Sequence, residues 1–319
     1  MNRRQLWIAA MCLAAAAGSV HADSKPLRIV VAFSPGGPVD FVARSLGEQL
    51  GKELGQTVVV ENKAGANGAI GASEVMHSPP DGNTLWITSV GAAAINSSLY
   101  DKLPYDMQRD FEPVSLVVNN VELLVVNPSN PANNAAEFVA AAKKSKEPVA
   151  MASSGIGSIP HLAIEQLIQA TGANVLHVPY KGAAPAINDV LAGQVSAFFG
   201  DIPGLIGHVR GGTLKALGVA AAKRHPALPE VKTLAEQGIA GIDTNNWYAL
   251  FAPAKTPAAD IARINKAVRK ALGDPALAAK LIKAGTEPAP STPQELAALL
   301  KHDTDKWAKL IRARNIKVN

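Results

Sequence analysis

Cysteine occurs once in the 319 residues, at Cys12. If the N-terminal segment that carries it is removed, the chain has no disulfide, no thiolate nucleophile and no cysteine metal site. His77, His161, His177, His208, His225 and His302 are scattered, with no His-x-x-x-His pair, and the carboxylates form no obvious acid/base pair. No metal and no cofactor is expected. Excess charge of one sign is also scarce. The net charge is +5, and removing the two arginines of the N-terminal segment leaves +3. Aromatic residues make up 5% of the chain, and no basic run is interleaved with them, so nucleic acid is not an expected partner. Beyond the N-terminus no run is apolar enough to cross a membrane, and there is no internal repeat.

What is present begins with an export signal. Arg3 and Arg4 precede an apolar stretch from Leu6 to Gly18, and Val20-His21-Ala22 supplies small residues at the cleavage positions. The stretch is shorter than the roughly 20 residues a membrane span needs. Residues 1–22 are therefore read as a signal peptide cleaved after Ala22, with the mature chain in the periplasm. A lipoprotein would need acylation at Cys12, and Met11 before it fits that poorly.

The mature length allows two lobes, each with its own core. Short β-rich runs alternate with helical patterns, which argues an α/β fold. The strand candidates are Leu27–Phe33, Thr57–Glu61, Thr84–Thr88, Val121–Asn127, Val149–Ser153, Val175–Val178, Val195–Phe199, Ala216–Ala220 and Trp247–Ala252. Most are continuously apolar, as strands covered on both faces are. Helices follow Pro38, Pro160, Pro185 and Pro257, and Thr292-Pro293-Gln294-Glu295 reads as a capping box. Glu112–Val126 and Asn245–Pro253 are the candidate crossovers between lobes. The expected division is 23–120 plus 250–319 for lobe one and 121–249 for lobe two.

The most informative stretch is Phe33-Ser34-Pro35-Gly36-Gly37-Pro38-Val39-Asp40. An apolar run ends in Pro-Gly-Gly, and a helix starts with Pro at its first position. A helix N-terminus with bare N–H groups is an anion site, and the amides near Gly36 and Gly37 are candidates for anion capture. The plainer role is a strand-to-helix turn, with Asp40 serving the helix dipole. The same grammar recurs at Ser153-Ser154-Gly155-Ile156-Gly157-Ser158-Ile159-Pro160-His161. It is neither a Walker motif nor a nucleophile elbow. His161 is either a general base or a structural histidine. Tyr180 and Lys181 precede a third Pro-started helix, where Tyr180 would wall a pocket and Lys181 would stand near an anion or in solvent. Asp201 follows the strand at Phe199, where it accepts from a ligand or water, or caps the next helix. Ser89, directly after the strand Thr84–Thr88, completes the candidate ligand-binding set. Gly65, Gly68 and Gly71 are evenly spaced by three and give no dinucleotide fingerprint.

Blocks spread over nearly the whole mature chain match a known family. They are Val31–Asp40, Glu61-Asn62-Lys63-Ala64-Gly65-Ala66-Asn67-Gly68, Pro80-Asp81-Gly82-Asn83-Thr84-Leu85 and Ser154–Ser158 with His161-Leu162. Val178-Pro179-Tyr180-Lys181-Gly182, Leu191-Ala192-Gly193-Gln194-Val195, Thr233–Gly238 and Trp247-Tyr248 through Ala252-Pro253 complete the set. In these the chain resembles the solute receptors of tripartite tricarboxylate transporters, the Bug receptor family. Asn67 stands where that family frequently has Gly. The resemblance implies a two-lobed type II periplasmic-binding-protein fold with a ligand cleft between the lobes. It implies a small organic carboxylate held at Phe33–Gly37 largely by backbone N–H groups and waters. The ligand's other end would meet Ser153–Ser158 and the region of Asp201. The expected protein is a monomeric, non-enzymatic receptor that delivers its ligand to integral membrane transporter subunits. Two alternatives stand beside it: a secreted hydrolase using Ser154 or Ser158 with His161 and Asp201, and a ligand sensor for a membrane signalling protein.

Overall fold

The computed structural model describes residues 25–180, 182–242 and 244–317. The signal segment with Cys12, and Lys181, lie outside the described residues.

In chain order the elements are β1 (Leu27–Val31), α1 (Pro38–Leu54), β2 (Val58–Asn62), α2 (Ala69–Met76), β3 (Thr84–Ser89), α3 (Asn96–Leu99), α4 (Met107–Asp110), β4 (Phe111–Asn119) and β5 (Glu122–Val126). Then follow α5 (Ala135–Lys144), β6 (Val149–Ser153), α6 (Ile159–Thr171), β7 (Val175–Pro179), α7 (Ala183–Leu191), β8 (Ala197–Asp201), α8 (Ile202–Arg210) and β9 (Lys215–Val219). The last are β10 (Tyr248–Pro253), α9 (Ala258–Leu272), α10 (Pro275–Lys283), β11 (Glu287–Pro288) and α11 (Pro293–Arg314).

The strands form two sheets, in the orders β11-β4-β10-β3-β1-β2 and β7-β6-β8-β5-β9. β1 pairs parallel with β2 and β3, and β6 parallel with β7 and β8. β10 runs antiparallel between β3 and β4, and β5 antiparallel between β8 and β9. Each sheet is covered on both faces. In β1, Leu27, Ile29 and Val31 pack into one core while Val30 packs into another. In β5, Leu123 and Val125 face one core, and Leu124 and Val126 the other. Successive strand residues point to opposite faces, so two covered faces require an unbroken apolar run.

The chain passes from the first sheet to the second at Asn120-Val121 and returns just before Tyr248. The two passages are bonded to each other. Asn246 N–H donates to the Asn120 carbonyl at 2.8 Å, and Asn120 Nδ2 donates to the Asn246 carbonyl at 3.1 Å. The stretch expected as one crossover, Glu112–Val126, is thus two strands in two sheets. β8 begins two residues later than expected, because residues 193–195 are used in the turn that closes α7 onto Asp189. Asp201 is therefore the last residue of β8. The capping box at α11 is formed: Glu295 N–H donates to Thr292 Oγ1 at 3.2 Å, and Thr292 N–H donates to Glu295 Oε2 at 2.8 Å.

One buried amide ties the C-terminal part of the first lobe together. Asn265 Nδ2, on α9, donates to the Val114 carbonyl at 2.8 Å and the Ser291 carbonyl at 2.7 Å. Asn265→Ala removes both bonds, leaving the Ser291 carbonyl only the Ser115 hydroxyl at 3.0 Å, and should cost about 2 kcal/mol. Urea unfolding reads this as a lower midpoint at an unchanged slope; an unmoved midpoint would remove this amide from the account.

Candidate functional site

A cavity of about 660 Å³ lies between the two sheets and is walled from both. Four helices of nine or more residues begin at it: Pro38 of α1, Ile159 of α6, Ala183 of α7 and, next to Asp201, α8. The first amides of a helix have no intrahelical acceptor, and the aligned peptide dipoles place partial positive charge there. Proline at the first or second helical position of α1, α6 and α8 suits a site where one N–H is dispensable. Among the described residues, no lysine or arginine lines the cavity.

The glycine amides singled out in the sequence are already engaged. Gly36 N–H donates to Asp40 Oδ2 at 2.9 Å, and Gly37 N–H to the Ser34 carbonyl at 3.4 Å. Gly155 N–H donates to Ser153 Oγ at 3.1 Å and Gly157 N–H to His161 Nδ1 at 3.0 Å. The donors left for an anion are those of the first helical turns, such as Val39, Ile159, Ala183 and Ala184. In this structure the glycine amides bond within their own loops, and the first helical turns carry N–H groups without an intrahelical acceptor. Gly157 has φ +76°, and a Cβ there would lie 2.0 Å from Leu99 Cδ1 of the other lobe. Its role is a close approach that a side chain forbids.

Of the expected site residues, Phe33, Ser34, Pro35, Gly36, Gly37, Ser89, Ser154, Ser158 and Asp201 line the cavity. Asp40, Ser153, Gly155, Gly157, His161 and Tyr180 do not. Asp40 is buried behind the first loop. Besides Gly36 N–H, it accepts from Arg44 Nε at 3.0 Å and Asn62 Nδ2 at 2.9 Å. Burial alone would raise its pKa, but these three donors and the charge of Arg44 hold it below the usual value. His161 is buried and stacked on His177, with ring centroids 3.8 Å apart, and its Nε2 lies 3.7 Å from Glu165 Oε1. Its Nδ1 accepts from a main-chain amide, so it is a loop-ordering histidine. Ser153 Oγ bonds His177 Nε2 at 2.6 Å, and burial followed by the neighbouring His161 lowers the His177 pKa to about 4. Tyr180 donates its hydroxyl to Asp189 Oδ2 at 2.5 Å.

Other wall residues carried weaker sequence signals. Asn67 lines the cavity in a left-handed conformation (φ 44°), which Asn tolerates better than most residues and Gly adopts freely. Its place in a Gly-rich block was the available hint. Asn246 and Tyr248 come from the second passage between sheets and meet Asp201. Asn246 Nδ2 donates to Asp201 Oδ1 at 3.0 Å and Oδ2 at 3.1 Å, and the Tyr248 hydroxyl donates to Oδ2 at 2.9 Å. Asp201 makes no side-chain cap bond to α8, which answers one of the two roles left open for it.

Residues 42–316 match the model of the tripartite tricarboxylate transporter family receptor. The chain belongs to this family. It is 33% identical to protein BugT of Bordetella pertussis over 314 residues, covering 98% of this chain and 96% of BugT. The structure of R. palustris Rpa4515 with adipate is 31% identical with a TM-score of 0.87, covering 92% of this chain and 99% of that one. MatC from Rhodopseudomonas palustris with bound malate is 31% identical with a TM-score of 0.80, covering 90% and 98%. The family is one of solute receptors in the periplasm that work with membrane transporter components. The chain is a receptor and not an enzyme, and the hydrolase alternative falls.

Asp40 offers a direct test of how the first loop is held. Asp40→Ala should weaken ligand binding by about tenfold or more, because misplacing a preorganised group is costly. Arg44→Ala should cost less, since Gly36 and Asn62 still bond the carboxylate. Calorimetry compares the two, and a larger loss in Arg44→Ala would contradict the assignment.

Proposed function

We propose that this receptor grips a small organic carboxylate in the cavity between its lobes, with one carboxylate facing the N-termini of α1, α6 and α7. The observation that carries this reading is the convergence of helix starts on a cavity whose described walls hold no lysine or arginine. Relatives solved with adipate and with malate agree with it. The candidate ligand residues are Phe33, Ser34, Gly37, Ser89, Ser154, Ser158 and Asp201 from the sequence, joined by Val39, Asn67, Ala183, Asn246 and Tyr248.

The two lobes act as the rigid parts. Sheet membership supports a first lobe of residues 23–120 with the C-terminal part and a second lobe starting at 121. The start of β10 at Tyr248 supports a return two residues before the boundary expected at 250. Among the described residues two short bonded passages join the sheets, so a ligand that touches both lobes favours a closed arrangement. The receptor acts as a monomer, is exported with cleavage after Ala22, and presents the loaded form to membrane subunits. Among the described residues, no helix is long and apolar enough to cross a membrane.

Calorimetry with C4 to C6 dicarboxylates and their dimethyl esters tests this, with small-angle scattering on the same samples. At least one free acid should bind with a Kd of about 10 μM or tighter, roughly −7 kcal/mol, and reduce the radius of gyration. The matching ester should not bind. Equal binding of acid and ester would contradict carboxylate recognition.

A further inference from the structure

The cavity wall is electrically lopsided. The starts of α1, α6 and α7 carry the uncharged caps Gly37, Ser158 and Gly182. The start of α8 carries Asp201. Directly across the β5–β8 pair from Asp201 stands Glu122, which is completely buried. Neither Glu122 oxygen has a well-formed hydrogen-bond partner among the described residues. Two carboxyl groups this close in a buried place cannot both be ionised cheaply. Burial, then the charge of Asp201, pushes the Glu122 pKa well above the ordinary carboxylate range. Burial raises the Asp201 pKa too, but contacts with Glu122, Tyr248 and Asn246 work against that rise, and Asp201 sits at a helix N-terminus, so it is the better anion of the two. Glu122 therefore holds the proton. Burial, then the same carboxylates, keeps the Tyr248 hydroxyl protonated and donating.

A second acceptor stands beside Asp201. Asn246 is 8% exposed and lines the cavity, and its Oδ1 has no partner. The orientation of this amide is set by the Asp201 carboxylate, which must receive the Nδ2 side. Turning it over would aim the amide oxygen at a carboxylate. Asn246 Oδ1 is thus a desolvated acceptor waiting for a donor, beside a carboxylate with roughly four acceptor sites that the described donors do not all fill. A plain ligand carboxylate placed here would meet the like charge of Asp201.

We propose that Asp201 and Asn246, positioned by Glu122, form an acceptor subsite that selects ligands carrying a hydrogen-bond donor, so that the receptor's ligand is a hydroxy- or amino-substituted carboxylate and not an unsubstituted one. This rests on the carboxylate-receptor reading above and narrows it to a ligand class. Glu122 acts as a positioning residue: its proton lets Asp201 stay ionised in a buried place. The donor is a hydroxyl or an ammonium, and the subsite's acceptors suit both.

Matched acids test the proposal without knowledge of the natural ligand. Succinate, malate and aspartate share one chain length, as do glutarate, 2-hydroxyglutarate and glutamate. In calorimetry on the wild-type mature receptor, a donor-bearing acid in at least one series should bind about tenfold or more tightly than its plain counterpart. The stronger of the hydroxy and amino members identifies the donor. Asp201→Asn should bring the ratio within about threefold, as an amide offers a weaker, half-donor surface. Glu122→Leu removes the proton donor beside Asp201 and should lower the ratio severalfold, and Glu122→Gln, which restores a neutral donor, should recover it, a rescue that a merely structural role for the pair would not require. Plain acids binding as well as their substituted partners would overturn the subsite while leaving the receptor reading in place. If no acid of either series binds, the subsite proposal falls, and the carboxylate reading then stands or falls with the C6 acid tested above. The wild-type ratios decide the matter even if a variant fails to fold.

Discussion

The first turns of α1, α6 and α7 meet at one cavity, each bringing amides that helix geometry leaves unpaired. Much of the remaining structure serves to keep those turns where they are. β1 and β6 deliver the chain to the loops that start α1 and α6. Asp40 pins the first loop through Gly36, Arg44 and Asn62, and His161 pins the second through Gly157. An anion held by main-chain dipoles needs this fixity, because the partial charges work at full effect only when they do not have to reorganise.

Fixity within each lobe is combined with slender connections between lobes. Asn120 and Asn246 bond the two passages to each other, and Asn245 Nδ2 reaches Asn119 Oδ1 at 3.0 Å. Elsewhere the lobes touch through Leu99 against Gly157 and through Arg314 Nε on Glu165 Oε2 at 2.5 Å. Burial would raise the Glu165 pKa, but hydrogen bonds from His161 and Arg314 hold it below the usual value, so it is the anionic partner of this contact at neutral pH. Ile159 and Leu162 of α6 also join the apolar core beneath β3 and α11. Gly285 also packs closely against Ile202, His225 Nε2 lies 3.6 Å from Glu287 Oε1, and the Tyr248 hydroxyl reaches Asp201 across the lobes.

The sequence made the fold readable because its signals are local. Apolar runs such as Val149–Ser153 become strands without change, and Pro38, Pro160 and the Thr292 box start helices as written. The cavity's first wall was readable for the same reason, since Phe33–Gly37 and Ser154–Ser158 each lie within one loop. What was not readable depends on register or on distant partners. Nothing local says that Gly36 N–H turns inward to Asp40, four residues on, or that His161 stacks on His177 across a strand. Glu122 is an acid opening an apolar run, and its meaning arises only when β5 and β8 align it with Asp201. Asn246 and Tyr248 read in the sequence as part of a crossover, and their arrival at the cavity is a product of topology.

The central claim is that main-chain N–H groups of helix starts, and not a side-chain cation, hold the ligand's carboxylate. A crystal structure of the receptor with the tightest-binding acid tests it most directly. The account predicts carboxylate oxygens about 2.7–3.2 Å from first-turn amides on both lobes, such as Val39 and Ala183. A carboxylate paired instead with a lysine or arginine side chain, Lys181 foremost, and remote from those amides, would contradict it.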